Sequence, residues 1–102
     1  MKKYEIKNEE TLWGNDYGRE DALKIIDELE IVNDDKILIS FSDEIEDVVI
    51  SYVEGFFNTF SKRFSKEFCK NNIIIDSKIN DIVLPFAKYV TSTKFEETGN
   101  NE

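Results

Sequence analysis

The chain has 102 residues, enough for one hydrophobic core and too few for two. With 40% apolar and 13% aromatic residues it is not a chain disordered throughout. The formal charge is −9, from 22 acids and 13 bases, and there is no histidine and one cysteine, Cys69, which excludes histidine triads, Cys/His zinc sites and an internal disulfide. An enzyme built on paired carboxylates or on Lys and Tyr stays chemically open. The composition points instead to a small soluble protein that binds a partner and carries no cofactor and no metal.

In chain order, Lys3 to Lys7 alternates weakly around Tyr4 and Ile6, which predicts an edge strand over 3–7. Gly14-Asn15-Asp16-Tyr17-Gly18 reads as a turn cluster. From Arg19, Ala22, Ile25, Ile26 and Leu29 recur at helical spacing, with Glu20 and Asp21 where the dipole favours anions, so a helix is expected near 19–30. Asn33-Asp34-Asp35 breaks it. Lys36 to Phe41 is a short, nearly unbroken apolar run, the pattern of a central strand covered on both faces, and Asn72 to Asp76 repeats it. A helix between the two makes a βαβ unit with a parallel pair.

That helix carries the strongest pattern. Tyr52, Phe56, Phe60, Phe64 and Phe68 stand at successive four-residue steps, with Val53 and Phe57 beside them, and form a slanting ridge suited to packing on the sheet. The other face carries Asn58, Thr59, Lys62, Arg63, Lys66 and Lys70, read as solvated. Two starts are open. Ile45, Val48 and Val49 continue the period back to an N-cap at Ser42 or Asp43, whereas β-branched Val48-Val49-Ile50 favours an acidic loop over 42–50. In the second case Ser51 is the N-cap and Glu54 the capping-box acid of a helix over 51–69. Ile79, Ile82, Val83, Phe86, Ala87 and Val90 predict a helix near 79–90, kinked or started late by Pro85. The polar stretch 94–102 is expected to fray as a flexible tail behind a domain of residues 1–93.

The charge is local. Residues 27–47 sum to about −8 and residues 61–78 to about +3. The acids are Asp27, Glu28, Glu30, Asp34, Asp35, Asp43, Glu44, Glu46 and Asp47, against Lys36. This acidic region is either a solvated face or a docking patch for a basic partner. Asp43 to Asp47 lacks the ligand spacing and glycine of a calcium loop. Cys69 is expected to be a buried apolar residue. An acidic surface argues against direct binding to nucleic acid or anionic membrane. With no apolar stretch behind Met1-Lys2-Lys3 and no run of membrane length, the chain is expected to be cytoplasmic.

Three stretches resemble the STAS-like family of small bacterial domains, related in shape to anti-sigma-factor antagonists. Gly18-Arg19-Glu20-Asp21-Ala22 is similar to its Arg-x-x-Ala helix start. Ile37 to Phe41, followed by Ile45 and Val48, is similar to its central strand and loop. Ser51-Tyr52-Val53-Glu54-Gly55-Phe56-Phe57 is similar to its second helix start. The resemblance spans about residues 12–90 and implies an α/β domain with a small mixed or parallel sheet. It also implies a non-enzymatic regulatory module, able to form a homodimer, that docks on an ATPase- or kinase-like protein. The expected contact residues are Asp43, Glu44, Glu46, Asp47, Ser51 and Glu54, with Ser51 a phosphorylation site. Val49 and Ile50 stand where that family has small or hydroxyl residues. The alternative is an acidic, phage-type inhibitor or nucleic-acid mimic that blocks the basic groove of a nucleic-acid-binding protein.

Overall fold

The computed structural model describes residues 1–7 and 11–100, with side chains as far as Glu96. The elements are β1 (Lys2–Ile6), β2 (Thr11–Leu12), α1 (Asn15–Leu29), β3 (Ile37–Phe41), β4 (Asp47–Val48), α2 (Ile50–Arg63), α3 (Lys66–Asn72), β5 (Ile73–Asp76), α4 (Asn80–Val90) and α5 (Thr93–Asn100). β1, β3 and β5 form a parallel sheet in that order, pairing Lys2 with Ile37 and Ile37 with Ile73. β2 and β4 form a separate parallel pair, Thr11 against Asp47 and Leu12 against Val48. The α/β class read from the sequence is the class observed.

Both crossovers step the same way across the sheet, so connections of one hand place α1 and α2 on one face, where they pack side by side. Among the described residues the sheet is therefore covered on that face. Ile6, Ile37, Ile39 and Ile73 are buried, while the alternate residues Lys3, Glu5, Ile74 and Asp76 are exposed and Leu38 and Ser40 partly so. This corrects the expectation of a strand covered on both faces: the run in β3 is apolar, yet only every second side chain enters the core.

The aromatic row is the core. Tyr52, Phe56, Phe57 and Phe60 are buried on α2, and Phe86 of α4 meets Phe56 and Phe57 edge-on, each at 5.6 Å between centroids. The single helix expected over 51–69 is two. The chain turns out of helical geometry at Phe64, and Ser65 caps α3 by accepting a hydrogen bond from the Phe68 N–H at 2.9 Å. The ridge survives the break because Phe64 stacks on Phe68 at 4.5 Å.

α1 starts four residues earlier than the pattern suggested. Gly14, at φ 89°, makes the turn into it, and Gly18 belongs to the helix. Gly18 and Gly55 are where the two helices touch: a Cβ on Gly18 would lie 2.0 Å from the Tyr52 carbonyl oxygen, and one on Gly55 would lie 2.0 Å from that of Asn15. Beside this contact the buried Tyr52 hydroxyl donates to Asp21 at 2.6 Å; burial and then the Asp21 charge push its pKa well above the usual value.

Most of the polar stretch 94–102 lies in a further helix. α5 runs over Thr93–Asn100, with Phe95 fully buried against Phe57 and Tyr89. Lys94 pairs with Glu54 at 2.6 Å, and Glu96 pairs with Lys70 and lies 3.9 Å from Lys66. Lys66 is not part of a solvated face: it reaches over the Phe95 ring at 4.6 Å. Asn101 and Glu102 lie outside the described residues. α4 begins at Asn80 and accommodates Pro85 within the helix.

Candidate partner-docking surface

Because the strands are parallel, their carboxyl ends (Ile6, Phe41 and Asp76) share one end of the sheet, and α1, α2 and α4 begin there. The acidic loop leaves from Phe41. Its hydrogen bond from the Ile45 N–H to the Ser42 carbonyl makes a tight turn that buries Ile45 and leaves Asp43, Glu44 and Glu46 exposed. Asp47 is held back, accepting the Thr11 hydroxyl proton at 2.7 Å across the β2–β4 pair.

The same pair places Trp13 next to Val49, since the Val49 N–H donates to the Leu12 carbonyl at 2.7 Å. Trp13 is 54% exposed and meets Tyr17 edge-on at 5.1 Å. Val49 and Ile50 are exposed at the start of α2, and Ile50 shares a cavity of about 450 Å³ with Leu84, Pro85, Asp47, Asp81 and Lys88. Trp13 with Tyr17, Val49, and Ile50 with Leu84 are thus exposed apolar residues on neighbouring segments, an apolar band in which the Ile50–Leu84 hollow also holds the Asp47 and Asp81 carboxylates. Exposed apolar side chains gathered in one place mark interaction surfaces more than scattered ones do.

The residues proposed from sequence divide. Asp43, Glu44, Glu46 and Asp47 run from the loop after β3 into β4, and Asp47 lines the hollow of Ile50 and Leu84. Ser51 is not the N-cap of its helix; Val49 holds that position without a side-chain cap. Ser51 sits one residue into α2, half-buried, and its Oγ accepts from the N–H of Gly14, the residue preceding α1, at 3.1 Å. Glu54 points to α5, paired with Lys94. From sequence, Trp13 beside Gly14 reads equally as a lid over one edge of the core or as an exposed anchor, and it is exposed; Tyr17 and Leu84 were missed, because exposure is not written in the sequence.

The −8 segment is not one face. Asp27, Glu28, Glu30, Asp34 and Asp35 precede β3 and Asp43 to Asp47 follow it, so the five-residue strand, roughly 13 Å long, separates two groups. Asp35 is neutralised within the first group. It accepts from the Val32 N–H and pairs with Lys2 at 2.9 Å, contacts that lower its pKa in that order. Among the described residues no group of three Asp, Glu or Cys side chains is arranged to hold a metal, and no helix is long and apolar enough to cross a membrane. Comparison of the chain with family models, with curated proteins and with solved structures finds no match.

Proposed function

We propose that this protein is a non-enzymatic, STAS-like binding module that docks a regulatory protein partner through the carboxyl end of its sheet. The observation that carries this is the apolar band of Trp13, Val49, Ile50 and Leu84 set against the exposed carboxylates of Asp43, Glu44 and Glu46. An apolar centre gives affinity and an acidic margin selects a basic-rimmed partner. Ser51 enters as a switch through its hydrogen bond to Gly14: a phosphate on its oxygen would crowd the Gly14 backbone and move Trp13 beside it. The acidic-mimic reading has less support, since a mimic needs continuous charge and these acids stand at two ends of the sheet.

The test is capture of partners from native cells with the wild-type chain, Trp13→Ala and Ile50→Asp, followed by salt titration of the purified complex. Loss of a specific partner in both variants, with only a shallow salt dependence, is the expected result. A partner retained by both variants and released steeply by salt would replace this reading with the mimic.

A further inference from the structure

A second concave surface has the opposite charge. It lies between α1 and α2 on the side away from the sheet, with a volume of about 460 Å³, and its lining includes Arg19, Lys62 and Arg63 together with Asn15, Asn58 and Thr59. Leu23 is its one large apolar side chain, and Gly55 forms part of its floor. Three cations meet here on a chain of net charge −9.

We propose that this groove binds a small polyanion of the pyrophosphate or phosphate-ester class. Its size falls in the range of small-ligand sites, and Arg19, Lys62, Arg63 and Asn58 bring donors to its lining, whereas the Thr59 hydroxyl donates to the Gly55 carbonyl at 2.8 Å. Arg19 and Arg63 bring planar forks that grip two oxygens of a phosphate at once. Arg19 pairs with Asp16 at 3.3 Å, on the surface and readily exchanged for a ligand. Asn58, which also lines the groove, keeps its amide N–H₂ as a donor, because the Tyr89 hydroxyl donates to its Oδ1 at 3.2 Å. The site is separate from the docking surface, and its occupation does not depend on that reading.

The experiment is a titration of ¹⁵N-labelled protein with sodium pyrophosphate at fixed ionic strength, with sodium sulfate and hexaglutamate as comparison arms. Saturable shifts at Asn15, Arg19, Gly55, Asn58, Thr59 and Arg63 are expected, with sulfate weaker. The Arg19→Gln, Arg63→Gln double variant should bind at least tenfold more weakly while the rest of its spectrum stays native. Shifts that do not saturate, that sulfate reproduces equally, or that persist in the double variant would overturn the proposal. Saturation by hexaglutamate without pyrophosphate binding would also overturn it, and assign the groove to an acidic protein segment.

Discussion

Gly18 and Gly55 give the sharpest test at single residues. Alanine is normally favoured over glycine inside a helix by about 1 kcal/mol. Here each new Cβ would meet a backbone oxygen at 2.0 Å, and backbone cannot swing aside as a side chain can. Gly18→Ala and Gly55→Ala should therefore destabilise, by about 2 kcal/mol or more, measured by urea unfolding. A stabilised variant would show that the helices do not approach this closely. Cys69 gives a second test. Burial pushes its thiol up to about 12, and its Sγ lies 3.5 Å from the Phe57 carbonyl, to which it donates. A thiol reagent at pH 8 should leave the native protein unmodified and label it fully in denaturant, because the thiolate is the nucleophile.

Among the elements, α1 and α5 depend on contacts from far along the chain. α1 has no basic residue in its last turn, and Lys2 of β1 supplies the charge, donating to the Leu29 and Glu30 carbonyls at 2.8 and 2.9 Å. Lys2→Met should cost about 1 kcal/mol in urea unfolding. It should also let the Asp35 titration midpoint rise toward the ordinary carboxylate value, read by NMR. Among the described side chains of α5, Phe95 is fully buried, so Phe95→Ala should cost about 3 kcal/mol, seen as a lower melting temperature. These elements show where the sequence was legible. The aromatic row, the two isoleucine-rich strands and the helix containing Ala22 and Ile25 announce themselves by period. The break at Phe64 does not, since four-residue spacing runs through it unchanged. β2 and β4 are too short to carry a period. Gly18 looked like a turn because glycine serves both turns and close helix contacts, and α5 was hidden because a single Phe in a polar stretch has no pattern. For the candidate site, the acidic loop was legible as charge, but Glu54 was drawn into it because its partner, Lys94, is 40 residues away.

At the scale of the whole molecule, the ion pairs define a pH window. Asp35 and Glu96 have lowered pKa values, Asp35 first through the Val32 N–H and Glu96 first through Lys70. Their contribution is present above the unfolded carboxylate value of roughly 4 and is lost as pH falls through the lower folded values. Lys70 and Lys94 are raised, first by hydrogen bonds to Glu96 and Glu54. Their contribution is present below the unfolded lysine value of about 10.4 and is lost as pH rises through the folded ones. For these groups, the urea midpoint should stay level between those limits and fall outside them. The sheet has a further consequence, for how the chain reaches this state. Its pairings, Lys2 with Ile37 and Ile37 with Ile73, join residues about 35 positions apart, and among the described residues no hairpin offers a shorter first step. Each closure gives up chain freedom before any strand contact repays it. Despite its many helices, folding should be slower than for a helical bundle of this length, because the glycine contact between α1 and α2 spans as much chain as the strand pairings do.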